Sequence, residues 1–125
     1  MVDHANLPRW SFGDSPELAD ALLALVLDGR KTATCCAAAQ MGPTDIGERS
    51  IILDGAGNPA ALIETIGCDA VRFCDVKAEF AAAEGEGDLS LGYWRDAHQR
   101  YFTRQAVFAP DMMLWCERFR VVARF

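Results

Sequence analysis

SIILDGAGNPAALIETI, residues 50–66, holds two apolar runs, Ser50–Leu53 and Ala60–Ile66, on either side of Asp54-Gly55-Ala56-Gly57-Asn58-Pro59. Turn formers between β-prone runs predict a hairpin. A hairpin pairs antiparallel strands without a crossover helix, so this stretch argues against a doubly wound parallel sheet. The glycines read as a turn and not as a phosphate cradle, because no helix follows them.

Working outward, Ser15-Pro16-Glu17 starts a helix, with Ser15 as N-cap, Pro16 in the first turn and an acid near the positive end of the dipole. Leu18, Leu22, Leu25 and Val26 recur at helical spacing, and Gly29 stops the helix after Asp28. Arg30–Cys36 reads as a turn into a strand, and Gly42-Pro43 marks a loop. Downstream, Asp75 is expected to cap a short helix through Ala83, ended by Gly85 and Gly87. Asp88 or Ser90 opens another helix, carrying Leu91, Trp94, Ala97, His98, Tyr101 and Phe102 along one side. Phe119, Val121, Ala123 and Phe125 alternate with Arg118, Arg120, Val122 and Arg124, the period of a half-buried strand. Strands before and after the helices, without a βαβ rhythm, favour α+β with a small, mostly antiparallel sheet or barrel.

The 125 residues are 51% hydrophobic and 24% charged, with 18 acidic and 12 basic side chains. That is one domain, residues 1–125, with enough apolar content to fold without disulfides or metal. No apolar run reaches the ~18–20 residues that cross a bilayer. MVDHANLPRW lacks the basic flank and apolar core of a signal peptide. Five cysteines, an odd count without C-x-x-C, and His4 and His98 far from them in sequence argue against a zinc or disulfide framework. Free thiols fit a reducing, cytoplasmic setting. A formal charge of −6 disfavours strong, sequence-independent nucleic-acid binding, although 95–124 concentrates six arginines.

Three features carry chemistry. Gly29-Arg30-Lys31-Thr32-Ala33-Thr34 holds one of only two lysines against ten arginines. A lysine beside threonines can act as a base if burial lowers its pKa, and a threonine hydroxyl needs such a base to become a nucleophile. The plain alternative is a helix C-terminus that favours cations, followed by strand-forming threonines. On a regular strand, residues three apart face opposite sides, so Lys31 and Thr34 converge only if the chain turns between them. Glu84-Gly85-Glu86-Gly87-Asp88 lets a carboxylate project from a sharp turn, or is simply an exposed loop. Tyr93, Trp94, His98, Tyr101 and Phe102 are core at helical spacing, or a platform for a nucleobase.

These features, in this order, resemble the ASCH domain family, whose fold is PUA-like: a small β-barrel with flanking helices. The likeness includes Trp10-Ser11-Phe12-Gly13-Asp14, Gly29-x-Lys31, Phe80–Gly87, Tyr93-Trp94-Arg95 and Cys116-Glu117-Arg118-Phe119. Of the family motif G-x-K-x-x-E-x-R, Gly29 and Lys31 are present. Thr34 stands at the glutamate position and Cys36 at the arginine position. Threonine at that place is similar to the small bacterial N4-acetylcytidine amidohydrolases. The resemblance implies Lys31, Thr34 and Glu84 as catalytic residues, with Glu86 competing for the third place. It implies Trp10, Tyr93, Arg30 and Glu86 against substrate, with no metal or other cofactor.

The resulting expectation is hydrolysis of an acyl group from the exocyclic nitrogen of a modified cytidine. Thr34 attacks, neutral Lys31 takes its proton, and Glu84 orients the lysine or shuttles a proton. The rate then rises with pH as Lys31 deprotonates, with a midpoint below that of free lysine. The expected partner is a small nucleoside, with no membrane. The alternatives are an ASCH-type ribonuclease using Lys31, Tyr93 and His98, or a non-catalytic RNA-binding module.

Overall fold

The computed structural model describes residues 6–125; His4 lies outside them. The hairpin is present as β3 (Arg49–Leu53) and β4 (Pro59–Arg72), paired antiparallel. Asp54 closes its turn by accepting the N–H groups of Ala56 and Asn58, each at 2.9 Å. Strand β1 (Arg9–Trp10) adds parallel to β3, β5 (Met113–Arg124) pairs antiparallel with β4, and β2 (Ala33–Ala37) pairs antiparallel with β5. The sheet order is β1-β3-β4-β5-β2. Register shifts between Leu62 and Ile63 and between Thr65 and Gly67 interrupt the β4–β5 pairing; such bulges bend a sheet. The α+β, PUA-like class read from the sequence is the one observed.

Helix α1 (Pro16–Leu27) starts where expected, the Ser15 hydroxyl accepting the Leu18 N–H at 3.1 Å. It buries Ala19, Leu22, Leu23 and Val26, while Leu18 and Leu25 are half-buried. Two elements differ from expectation at their starts. Asp75 ends a 3-10 turn, and α2 (Ala78–Glu84) is instead capped at Lys77. Helix α3 (Leu91–Arg104) opens at Ser90, whose hydroxyl accepts the Tyr93 N–H, and not at Asp88. Both β4 and β5 are longer than the expected strands, which ran over Ala60–Ile66 and from Arg118 to Phe125. Cys68–Arg72 and Met113–Glu117 pair with each other, and that mutual pairing extends each strand.

The sheet separates two apolar clusters. Phe12, Leu22, Leu23, Val26, Ile52, Ile63 and Phe119 pack under α1. Ala33, Ala37, Phe73, Phe80, Trp94, Phe102 and Leu114 pack with α2 and α3. Strand β2 contributes to the second through Ala33, Cys35 and Ala37, leaving Thr34 and Cys36 for the other face. No helix among the described residues is long and apolar enough to cross a membrane.

Candidate functional site

The end of α1 sets the direction of the first site residue. Gly29 takes φ +80°, its N–H bonds the Val26 carbonyl, and the Arg30 N–H bonds that of Leu25. This is a Schellman stop, and it throws consecutive side chains to opposite sides. Arg30 goes to solvent and pairs with Asp28 at 2.7 Å, its side chain 70% exposed. Lys31 turns inward and is 2% exposed. The expectation that Arg30 contacts substrate is therefore corrected: it does not line the cleft that Lys31 enters.

Glu84 arrives from the last turn of α2 and is 1% exposed. Gly85 follows at φ +74°. A Cβ there would collide with the Arg30 carbonyl, so only glycine lets the two segments meet this closely. The Thr32 N–H donates to the Ala83 carbonyl at 2.8 Å and stitches them together.

Around these residues four ionisable groups form a closed cluster. Lys31 Nζ donates to Glu84 Oε1 at 3.0 Å, to the Glu84 carbonyl at 3.4 Å and to Glu86 Oε2 at 3.2 Å. Glu84 Oε2 accepts the Trp94 indole N–H at 2.5 Å and stands 3.3 Å from His98 Nε2. His98 is stacked on Trp94, ring centroids 4.3 Å apart, and its Nδ1 lies 2.9 Å from the Trp94 carbonyl. With an acceptor at each ring nitrogen, only the imidazolium satisfies both. Burial pulls the His98 pKa down, but the hydrogen bond and charge of Glu84 more than reverse it, so the net shift is upward. Burial likewise opposes charge on Glu84, yet Lys31, His98 and Trp94 hold its carboxyl well below the usual range.

The same balance corrects the proton state expected of Lys31. Burial pulls its pKa down, but the charges of Glu84 and Glu86 and their hydrogen bonds raise it above an ordinary lysine. Lys31 rests as an ammonium. The expected neutral resting lysine, and a pH midpoint below that of free lysine, do not fit this environment.

Lys31, Glu84, Glu86, Tyr93, His98 and Thr34 line one cleft of about 230 Å³. The nucleophile and acid-base residues inferred from sequence thus share a cavity. Thr34 makes no hydrogen bond to Lys31, whose bonds go to the glutamates. Tyr93 is placed by Gly87, whose φ of +59° and missing Cβ admit the phenol ring. Trp10 does not line this cleft. Its ring packs edge-on against Phe12 at 4.9 Å and faces a second cleft of about 310 Å³, which meets the first at Thr34 and Cys35.

Cys35, Glu84 and His98 bring ligand-type atoms within 4.8 Å of one another. Burial and the Glu84 charge push the Cys35 thiol well above its usual pKa. A cation there would have to displace the hydrogen bonds that Lys31, Trp94 and His98 make to Glu84, so the donor set fits an ion-paired cluster better than a metal centre.

Sequence reasoning missed Glu117 and Trp115, which line the second cleft. Their spacing of two on a strand was the available signal.

The ASCH domain family profile matches residues 8–123. The chain belongs to the ASCH domain family. A solved ASCH domain from Lactobacillus crispatus JV V101 superposes at TM-score 0.84 with 30% identity, covering 94% of this chain and 81% of that one. A crystal structure of an Enterococcus faecalis V583 protein is similar at TM-score 0.85 and 36% identity, covering 98% of this chain and 80% of that one. No curated protein matches the chain.

Proposed function

We propose that this ASCH domain is an amidohydrolase that removes an acyl group from the exocyclic nitrogen of a cytidine-type nucleoside. The observation that carries the reading is that Thr34 lines the same cleft as the buried Lys31–Glu84 ion pair. Thr34 Oγ attacks the acyl carbon. Lys31, entering as an ammonium, gives one proton to the departing nitrogen and takes the Thr34 proton in its place, so its charge is unchanged. The carbon–nitrogen bond breaks and an acyl-Thr34 ester remains. Water then attacks that ester, its proton passing through Lys31 back to Thr34. The ammonium also opposes the negative charge that grows on the acyl oxygen. Glu84 touches Lys31 and acts through it, as a positioning residue. Glu86 and Tyr93 border the substrate space.

The ribonuclease reading fares worse on the same geometry. The Glu84 and Glu86 carboxylates hold Lys31, and two negative groups beside it repel a phosphate while leaving a neutral amide unopposed. Its five cysteines are free thiols, which suits a reducing, cytoplasmic setting.

Incubation with N4-acetylcytidine and, in parallel, with labelled single-stranded RNA tests the reading. The expected products are cytidine and acetate, at a rate nearly indifferent to salt. Cleavage of the RNA, or RNA binding that falls steeply with salt and no deacylation, would replace it.

A further inference from the structure

The second cleft lies on the opposite side of Thr34 from the ion cluster, and its chemistry is different. The β2–β5 register places Thr34 opposite Glu117 and Cys36 opposite Trp115, so all four side chains share one face, with cross-strand Cβ atoms about 5 Å apart. Trp10, Met41 and Trp115 supply flat or apolar walls. The Trp115 indole N–H donates to the Met41 carbonyl at 2.9 Å, fixing both ring and loop before anything binds.

Glu117 is the anomaly in this setting. Burial pushes its carboxyl above the usual range, with hydroxyls of Thr65 and Thr44 opposing the shift. Thr65 donates to it at 2.6 Å, but none of the salt bridges among the described residues involves it. Half-buried carboxylates are ordinarily paired with a cation or with several donors. Beside it, the buried Thr44 hydroxyl makes no hydrogen bond of ordinary geometry but stands close enough to lower the Glu117 pKa. A half-buried carboxylate met by hydroxyls and by no cation therefore lines a cleft with the aromatic walls of Trp10 and Trp115.

We infer that this cleft binds the planar, amino-bearing heterocycle of the substrate, its faces against Trp10 and Trp115 and its N–H edge on Glu117. The inference rests on the proposed deacylation and assigns the base-binding subsite of that reaction. Carboxylates accept from a cytosine-type exocyclic nitrogen, and a cleft of about 310 Å³ is of the size that takes small ligands. Glu48 and Glu117 are the charged groups lining it, which selects a neutral ring over a phosphate. A base seated there presents its exocyclic nitrogen to Thr34, with the acyl group directed past it toward Lys31.

The test combines kinetics on N4-acetylcytidine with equilibrium dialysis of cytidine, for the intact protein and for Trp115→Ala, Trp115→Phe and Glu117→Gln. Trp115→Ala and Glu117→Gln are expected to raise both KM and the cytidine Kd about tenfold, as loss of stacking or of a charge-assisted bond does, with kcat changed much less. Trp115→Phe keeps an aromatic face and should stay near the intact protein, which separates stacking from a disturbed fold. If the intact protein deacylates N4-acetylcytidine while Trp115→Ala and Glu117→Gln leave KM and Kd unchanged, the subsite is wrong and the reaction stands. If cytidine binding is lost in those variants but no deacylation occurs, the subsite stands and the reaction is wrong. An intact protein that neither binds cytidine nor deacylates overturns both.

Discussion

The two faces of β2 treat buried charge in opposite ways. On the Cys35 side, Lys31, Glu84, Glu86 and His98 answer one another, and each Glu84 oxygen meets a donor. On the Thr34 side, Glu117 is met by the hydroxyls of Thr65 and Thr44 and by no cation among the described residues. The difference teaches that a buried polar group is stable when the fold itself saturates it, and is a sign of a missing partner when the fold does not. Thr34 stands on the boundary between the two regimes.

The largest expected effect tests that boundary. On N4-acetylcytidine, Thr34→Ala should lose activity on the order of a thousandfold or more, while Thr34→Ser keeps a measurable fraction because it keeps a hydroxyl. Lys31→Arg should be as inactive as Thr34→Ala, since arginine holds charge but does not exchange its proton. An active Lys31→Arg enzyme would reduce Lys31 to a charge and end the relay.

Stability should divide the two faces next. Glu84→Leu strands Lys31 without its closest counter-ion, and breaking a buried pair costs about 3–5 kcal/mol, readable by urea unfolding. Glu117→Gln removes a carboxylate that lacks a cation and should stay within about 1 kcal/mol of the parent, or gain. Equal costs for the two substitutions would erase the contrast. Glu84→Gln, milder than the leucine, should lower kcat on N4-acetylcytidine more than it raises KM.

A smaller, pH-dependent effect follows from His98 and Glu84. The folded pKa of His98 is raised above 6.5, so its contribution is complete below that value and is lost as pH rises through the folded pKa. Glu84 is lowered, so its contribution is complete above 4.5 and is lost as pH falls. The melting temperature should therefore be highest between those values and decline on the alkaline side. His98→Gln should flatten that decline; an unchanged alkaline limb would place the titration elsewhere. The smallest effect is Arg30→Ala, a solvent-exposed pair with Asp28 worth less than about 0.5 kcal/mol, with deacylation changed less than about twofold. A larger loss of activity would return Arg30 to the substrate.

The sequence by itself determined the elements whose causes are local. Ser15-Pro16-Glu17 and Gly29 bound α1 because caps and positive φ act within a turn, and Asp54–Pro59 made the hairpin. It also carried Lys31, Thr34 and Glu84 into one cleft through their resemblance to a motif. Only the tertiary structure decided the charge of Lys31, because the carboxylates that raise its pKa come from a segment distant in sequence. It likewise lengthened β4 and β5, whose adjoining ends form strand by pairing with each other, and it moved Trp10 into the cleft of Trp115 and Glu117. The position of Glu117 opposite Thr34 is a matter of register, and register is set between strands by their shared packing, a physical quantity that no single stretch of chain contains.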